Sequence, residues 1–209
     1  VEGVTARKAN VLADAHHILR NHEIPVIVDK DGSSISKLKP RAVIDAIIAK
    51  KNIGTKRNMA PIVIGLGPGF VGGKDVDAVI ETNRGHFLGN VIFNGTAEPN
   101  TNSPGAIDGY TTDRLIRACC DGEIDPLKDI GDTVEQGEVI VRIEDQEVKA
   151  LISGTLRGMI QRGVTVTKGM KIGDIDPRKQ PEFCNIISDK ARAIGGGVLE
   201  AYLSLSKSS

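Results

Sequence analysis

The sequence predicts an α/β protein that carries an inserted all-β domain, and three observations lead to this prediction. Strand and helix patterns alternate through the first half of the chain, which indicates a small parallel sheet layer. Residues 121–176 contain one short β pattern twice, and a helical pattern follows near the C-terminal end. We therefore expect an α/β domain over 1–117, a β domain over 118–178 and a returning strand and helix over 179–209.

The N-terminal part is predicted to contain two helices with a strand between them. Residues 5–22 place apolar side chains at helical spacing, and Thr5 is a suitable N-cap. Residues 24–29 read Ile-Pro-Val-Ile-Val-Asp, which indicates a short buried strand. Pro40 suits the first position of the second helix, where its missing N–H costs nothing, and this helix is expected to end at 50–52.

Two further strands complete the predicted α/β layer. Pro61 to Leu66 is an uninterrupted apolar run, which is typical of a parallel strand covered on both faces. Residues 76–82 form the next predicted strand. A strand–helix–strand order implies right-handed crossover connections.

The loop after the run Pro61 to Leu66 is rich in glycine and reads G-L-G-P-G-F-V-G-G over residues 65–73. Open α/β sheets place ligands at the carboxyl ends of their strands, and a glycine-rich turn there lets backbone N–H groups approach an anion. Pro68 and the lack of a following helix distinguish the loop from a dinucleotide fingerprint. A structural turn and a ligand loop are both open interpretations.

Residues 90–120 are polar, and the stretch 100–105 is predicted to be a long loop or linker. Cys119 and Cys120 lie directly before the repeated pattern. A redox or sulfur-handling role and plain burial at the start of a strand are both open for these two cysteines.

The repeated pattern keeps one constant spacing between its two copies, called the repeat offset below. It pairs Gly122 with Gly154, Ile124 with Leu156, Gly131 with Gly163, Thr133 with Thr165, Val134 with Val166, Gly137 with Gly169, and Ile140 with Ile172. Each copy reads as short strands joined by glycine turns, which cannot bury an apolar face alone. The two copies are therefore expected to pack face to face as a small β sandwich or flattened barrel.

This repeat resembles the biotinyl/lipoyl carrier domains, which are barrel-sandwich hybrids of two such units. In that family the modified lysine lies eleven positions before the glycine that matches Gly154, and Ile143 occupies that position here. The turn at 144–146 is also too short for the carrier hairpin, and Lys149 matches a strand position. The resemblance therefore implies the fold but no carrier function, so neither biotin nor lipoate is expected.

A short strand at Cys184 to Ile187 and a helix are predicted after the repeat. The helical pattern begins at Ala191 and ends in Leu205, with Ser188 as the N-cap. Gly195, Gly196 and Gly197 lie inside it, although each glycine destabilises a helix by about 1 kcal/mol. We expect these glycines to allow close backbone packing against the sheet or a ligand.

Composition excludes several classes of function. The 27 basic and 27 acidic residues give a formal net charge of zero, which argues against binding to nucleic acid or to an anionic membrane. Aromatic residues make up only 3%, so the stacking platforms of nucleic-acid binders are missing. Neither a membrane span nor a signal peptide is recognisable, and three cysteines suit a reduced, cytoplasmic protein.

Four longer motifs stand out along the chain. They read G-L-G-P-G-F at 65–70, E-T-N-R-G-H at 81–86, G-M-K-I-G-D-I-D-P-R at 169–178 and I-S-D-K-A-R-A-I-G-G-G-V-L-E-A at 187–201. Together they resemble the YqeB family of selenium-dependent molybdenum hydroxylase accessory proteins. The resemblance covers nearly the whole chain. It implies a bacterial cytoplasmic protein that helps to mature a molybdenum hydroxylase, its expected partner.

The family also implies a Rossmann-like parallel layer. Its members open with a glycine-rich strand and turn upstream of the segment that matches Val1 to Thr5. Because this sequence begins at Val1, the first strand of the layer is expected to be missing, together with any dinucleotide site that it would build.

The predicted function is therefore an accessory role in maturation, with a phosphate-bearing cofactor or precursor bound at the loop 65–73. Lys50 and Arg84 are the expected phosphate partners, and His86 is a candidate for proton transfer. Four glycines are expected to line the cofactor site, namely Gly65, Gly67, Gly69 and Gly196. The ligand would be a molybdopterin-type cofactor or a nucleotide.

The alternative function is a non-catalytic scaffold that docks the target enzyme through the β domain, with a purely structural glycine loop. The sequence contains no Ser-His-Asp order, metal-ligand spacing or Walker loop, so it does not indicate which reaction occurs, if any, and no metal site is predicted. A homo-oligomer is left open.

Overall fold

The computed structural model describes residues 1–100 and 105–207, and the chain divides into two compact units. The first unit contains residues 1–100 and the segment from Ile187 onwards, and the second contains the residues between them. The β-rich unit is thus inserted into the chain of the α/β unit. The predicted linker at 100–105 lies mostly outside the described residues. No helix in the described part of the chain is long and apolar enough to cross a membrane.

The first unit opens with a strand–helix–strand motif. Its elements are β1 (Ala6–Ala9), α1 (Leu12–Arg20) and β2 (Ile24–Ile27). The two strands pair in parallel, and Ala15 and Ile18 of the helix pack with Ala9 in a small core. The helix predicted over 5–22 is therefore wrong in its first part, because the segment before α1 pairs with β2 as a strand.

A short helix, α2 (Ser33–Leu38), and a strand, β3 (Ala42–Asp45), follow β2. Hydrogen bonds from Ser34 and Ser33 hold the carboxylate of Asp29 at the start of α2 and lower the pKa of Asp29 to about 2. The helix predicted from Pro40 is wrong, since its first apolar residues form β3 instead. A short apolar run fits either element, and β-branched Val43 and Ile44 favour the strand.

Three more strands complete a four-stranded sheet, namely β4 (Ile62–Leu66), β5 (Ala78–Ile80) and β6 (Val91–Ile92). The order is β3-β4-β5-β6, and only β6 is antiparallel to its neighbour. Both strands predicted here, at 61–66 and 76–82, are confirmed in type. Every residue of β4 is buried, as predicted for a strand covered on both faces.

The sheet is covered on one face by α3 (Asp189–Ser206) and on the other by loop side chains. Ala201 of α3 packs on β4 and β5, and Phe70 and Ala97 pack on the opposite face. The predicted helix and its cap are confirmed, because the Ser188 hydroxyl accepts a hydrogen bond from the Ala191 N–H at 3.2 Å. The strand predicted at 184–187 is wrong, since a 3-10 turn spans Pro181–Asn185.

The second unit consists of two four-stranded antiparallel sheets. Its strands are β7 (Leu115–Arg117), β8 (Gly122–Pro126), β9 (Thr133–Val134), β10 (Val139–Ile143), β11 (Gln146–Lys149), β12 (Gly154–Met159), β13 (Thr165–Val166) and β14 (Lys171–Asp176). One sheet has the order β11-β10-β8-β13 and the other β7-β14-β12-β9. Fourteen buried residues from both sheets form one core.

The repeat offset predicted from the sequence relates the strands of this unit. Copy one is β7 to β10 and copy two is β11 to β14, and each sheet takes two strands from each copy. Equivalent hydrogen bonds join the copies: Gly131 N–H donates to Leu156 O at 2.8 Å, and Gly163 N–H to Ile124 O at 2.9 Å. The copies therefore exchange strands, and neither could complete its sheet alone.

The repeat begins earlier than the sequence prediction placed it. Ala118 and Ala150 are both buried and are separated by the repeat offset. Gly169 N–H donates to Ala118 O and Gly137 N–H to Ala150 O, each at 2.8 Å. The sequence carried a signal for this earlier start, because Ala118 pairs with Ala150, Ile116 with Val148 and Arg117 with Lys149 at the same offset.

The hairpin between β10 and β11 is tight, and its tip lies at Glu144 and Asp145. Glu144 has a positive φ of 51°, which fits a short turn. Lys149 is an exposed residue on β11, as predicted, and not a residue of the hairpin tip.

Candidate functional site

The carboxyl ends of three parallel strands meet at one edge of the first unit's sheet. In the observed register Asp45 of β3 lies opposite Gly65 of β4, and Leu66 lies opposite Ile80 of β5. The segments that follow these strands therefore lie side by side. This is the edge where open α/β sheets place their ligands.

Each glycine of the loop's first half allows a close approach to a neighbouring group. A methyl group at Gly67 would lie 2.6 Å from the Thr82 hydroxyl, and one at Gly69 would lie 2.5 Å from the Cα atom of Lys51. Gly65 is in contact with the Phe70 ring. Positive φ angles of 78° and 109° further restrict positions 67 and 69 to glycine. Packing thus explains why these three predicted site residues are glycines, and only their backbone groups can contact a ligand.

Two consecutive backbone amides in this loop have no hydrogen-bond partner in the described part of the chain. Gly67 N–H donates to Ile80 O at 2.9 Å, and Val71 N–H donates to the Asp75 carboxylate at 3.0 Å. Between them, the N–H groups of Gly69 and Phe70 have no hydrogen-bond partner within residues 1–100 and 105–207. Adjacent free N–H groups at a strand end form a concavity that suits an anion.

Basic side chains border the loop on two sides. Lys50 and Lys51 are exposed, and the Lys51 backbone lies against Gly69. Arg84 follows β5, two residues after Thr82, and its guanidinium forms a bidentate ion pair with Asp189 at 2.6 and 3.0 Å. The structure therefore brings Lys50 and Arg84 to the same edge as Gly67 and Gly69, with the charge of Arg84 shared with Asp189.

A buried carboxylate holds the chain after β5 in place. Glu81 is only 3% exposed. Its side chain accepts hydrogen bonds from the N–H groups of Thr82, Asn83 and Glu98, each at 2.7 Å. These bonds fix the turn that presents Arg84, so Glu81 is a positioning residue.

Sequence reasoning missed Lys190 in the first turn of α3. Burial lowers the pKa of this half-buried amine, and the nearby Arg84 charge lowers it further, while Glu81 and Asp189 act in the opposite direction. The Lys190 side chain makes no hydrogen bond or ion pair among the residues that the structure describes. The available signal in the sequence was the position of Lys190 in the first turn of the predicted helix, directly after Ser188 and Asp189.

Two predicted residues show no contact with this edge. His86 is exposed, and its ring meets the edge of Phe87 at a centroid distance of 5.3 Å. Gly196 is exposed on α3, and a methyl group added there would meet nothing within 4 Å. Of the three helix glycines, Gly197 makes the predicted close contact, against Gly89 and Ile80. No cluster of three or more metal-ligating side chains occurs in the described parts of the chain.

One similar protein covers nearly the whole chain. The chain is 52% identical over 205 residues to the uncharacterized protein YqeB of Escherichia coli K12, and the match covers 98% of this chain. This match agrees with the family resemblance of the four motifs. This chain spans 38% of the length of that relative. No family model matches this chain.

Solved structures give a much weaker similarity. The apo and product-bound structures of the ectoine utilization protein EutE (DoeB) from Ruegeria pomeroyi each match 41% of this chain, with 18% and 16% identity. The aligned regions cover 28% and 27% of the two EutE chains, with TM-scores of 0.27 and 0.25. Such scores carry no argument about the fold or function of this chain.

Proposed function

We propose that this chain is a member of the YqeB family that takes part in the maturation of a selenium-dependent molybdenum hydroxylase. In this proposal it binds a phosphate-bearing cofactor or precursor at the loop 65–73. The free N–H groups of Gly69 and Phe70 carry the proposal, because they leave two adjacent donors at the carboxyl end of the central strand. The identity to YqeB supports the family.

The charges around the loop support a phosphate rather than a neutral ligand. Lys50, Lys51 and Lys190 border the edge, and Arg84 could exchange Asp189 for a phosphate oxygen. Charge-assisted hydrogen bonds to a phosphate are about twice as strong as neutral ones. A molybdopterin-type cofactor and a nucleotide both carry such phosphates, and the ligand would be one of these.

We also propose a specific architecture for the two units. The parallel order β3-β4-β5 with helix α3 on one face supports a Rossmann-like layer for the first unit. The exchange of two strands between the copies supports a barrel-sandwich hybrid for the second. The cytoplasmic location expected from the sequence stays a prediction.

Calorimetry with pyrophosphate and with a molybdopterin nucleotide tests the site. Lys50→Ala and Lys190→Ala should each weaken binding about tenfold, the effect of about 1.4 kcal/mol lost from a charge-assisted contact. Lys37→Ala, on exposed α2, is the matched control and should bind like the wild type. In NMR spectra the amides of Gly69 and Phe70 should shift with pyrophosphate. Unchanged affinities and unshifted amides would rule out this site.

A cleft in the second unit favours a second candidate function, docking of the target enzyme. The cleft has a volume of about 520 Å³ and is lined by residues of β7 and β11. Each of these strands pairs with one neighbour only within the described residues, so each has an open edge that an extended segment could join.

The docking candidate predicts an interaction that needs no small molecule. Leu151 lines the cleft and is 58% exposed. Leu151→Asp should weaken binding of a purified molybdenum hydroxylase, whereas Leu127→Asp, at an exposed leucine outside the cleft, should not. Equal binding by both variants would argue against this surface.

A further inference from the structure

Two adjacent thiols lie in the connection from β7 to β8. Cys119 and Cys120 are free and partly exposed, and their Sγ atoms are 3.7 Å apart. The Cys119 thiol donates toward Cys120, and the Cys120 thiol points to the carbonyl oxygen of Ile143 at 3.6 Å. The two sulfur atoms are thus neighbours in the fold as well as in the sequence.

One of the two thiols is open to small reagents. Cys119 lines the cleft of about 520 Å³ between β7 and β11. Both cysteines pack against the core of the unit, but Cys120 does not line this cleft. Burial raises the pKa of the Cys120 thiol, with Cys119, Asp121 and Glu144 adding to the effect. A reagent in the cleft therefore meets Cys119 first.

Packing alone does not explain why this position holds two cysteines. Copy two has Leu151 and Ile152 at the equivalent positions, one repeat offset later in the chain. The preceding alanines, Ala118 and Ala150, make equivalent hydrogen bonds in the two copies. The connection therefore accepts two aliphatic side chains, and the fold does not require sulfur there.

The backbone at the two cysteines is not tied into a sheet. Ala118 both donates and accepts a backbone hydrogen bond, and Gly122 begins β8. Cys119 and Cys120 make no backbone hydrogen bond to any residue that the structure describes. Their torsions can adjust without the loss of a ladder bond.

We propose that Cys119 and Cys120 form a redox-active dithiol that exchanges reversibly with low-molecular-weight disulfides. The Cys119 thiolate attacks one sulfur of the external disulfide, forms a mixed disulfide and releases the first thiolate. Cys120 then loses its proton and attacks the Cys119 sulfur, which closes a Cys119–Cys120 disulfide and releases the second thiolate. The dithiol loses two protons and two electrons, and the external disulfide becomes two thiols.

The geometry of neighbouring residues makes this bond a labile one. Consecutive Cα atoms are about 3.8 Å apart, which is less than the separation of about 4.4–6.8 Å that disulfides usually span. Strained disulfides have higher reduction potentials and tend to be regulatory or catalytic. The bond should therefore form under oxidising conditions and open readily with a thiol.

Thiol exchange followed by mass spectrometry tests the proposal. The folded full chain is equilibrated with oxidised glutathione, quenched with acid and alkylated after denaturation. We expect the wild type to lose two hydrogen atoms, with Cys119 linked to Cys120 and Cys184 still free, and dithiothreitol to restore all three thiols. Cys120→Ser should instead keep one glutathione on Cys119, at least tenfold more than the wild type retains.

The control variant carries at positions 119 and 120 the residues that copy two has at the equivalent positions. The double variant Cys119→Leu, Cys120→Ile should fold and show no exchange, whereas Cys184→Ser should behave as the wild type. The proposal is overturned if the wild type keeps three free thiols throughout the redox series, or carries separate glutathiones on Cys119 and Cys120. Equal disulfide formation in the urea-unfolded chain would also overturn it, since the folded geometry would then contribute nothing.

Discussion

Three consecutive glycines in α3 have different roles. Gly195 and Gly196 face open space, whereas a methyl group at Gly197 would overlap the carbonyl oxygen of Gly89 and press on Ile80. The sequence predicted close packing for the whole group, because a helix seldom tolerates three glycines without a reason. It could not predict which of them packs, since that depends on the facing loop.

Alanine substitutions should therefore have opposite effects at neighbouring positions of α3. Gly196→Ala should stabilise the first unit by about 0.8–1 kcal/mol, because alanine is the better helix former. Gly197→Ala should destabilise it by about 1–3 kcal/mol through overpacking against Gly89. Urea unfolding followed by circular dichroism measures both, and equal effects would contradict the observed packing.

Asp176 is a buried carboxylate at the end of β14. It is 1% exposed and accepts hydrogen bonds from Arg178 at 2.6 and 2.8 Å and from Arg157 at 3.1 Å. The hydrogen bonds of Arg178 lower the pKa of Asp176, although burial acts against them. The stabilisation by this group is therefore present above its unfolded pKa of about 3.9 and is lost as the pH falls through the lower folded pKa.

Asp176→Asn should reveal this dependence on pH. At pH 7 the variant should be less stable by about 2 kcal/mol, between the values for exposed and fully buried ion pairs. The difference from the wild type should shrink below about pH 4, as the wild-type carboxylate becomes protonated. Chemical unfolding at several pH values measures it, and a difference that stays constant with pH would argue against the assignment.

At the scale of the elements, β9 and β13 connect the two copies of the repeat. Val134 of β9 and Val166 of β13 are 0% and 1% exposed, and they occupy equivalent positions of the two copies. β9 pairs with β12, and β13 pairs with β8, so each valine anchors a strand of one copy beside the other copy.

Val134→Ala and Val166→Ala should consequently destabilise the second unit alike. The loss of two methyl groups and the cavity left behind should cost about 2 kcal/mol at each position. Thr133→Ala and Thr165→Ala, at exposed neighbouring positions, should cost less than about 0.5 kcal/mol. Thermal unfolding compares the four variants, and a valine substitution without effect would contradict the role of that buried side chain in holding the two copies together.

Elements with long or repeated patterns were predictable, and short apolar runs were not. The strand at 61–66 and the capped helix after Ser188 agree with the structure, because burial on two faces and a cap leave distinct signals. Residues 42–45 satisfy a helical and a strand pattern equally, and pairing with β4 decides between them. Pairing with β2 likewise makes residues 6–9 a strand, although the sequence pattern predicted a helix there.

At the scale of the whole molecule, the insertion of a β unit into an α/β chain could be predicted from the order of the patterns. The constant repeat offset indicated the β unit, and the helical pattern after it indicated the return to the first unit. The exchange of strands between the copies was not predictable, because sequence similarity shows that two copies exist and not how they pair. The surroundings of Lys190 were not predictable either, because its neighbours Glu81 and Arg84 are distant in the sequence and meet it only in the fold.

The two proposed activities reside in different units, so they should separate physically. The second unit has its own core of buried residues, and its two sheets are complete without strands from the first unit. A polypeptide of residues 101–186 should therefore fold by itself, oxidise at Cys119 and Cys120 like the full chain, and bind no pyrophosphate.

Circular dichroism checks the folding of this polypeptide, and mass spectrometry and calorimetry check its two activities. The full-length Cys119→Leu, Cys120→Ile variant is the complementary control, because it should bind pyrophosphate without thiol exchange. Pyrophosphate binding by the isolated β unit would refute the assignment of the phosphate site to the glycine loop. It would leave the dithiol proposal standing, since that proposal depends only on the geometry between β7 and β8.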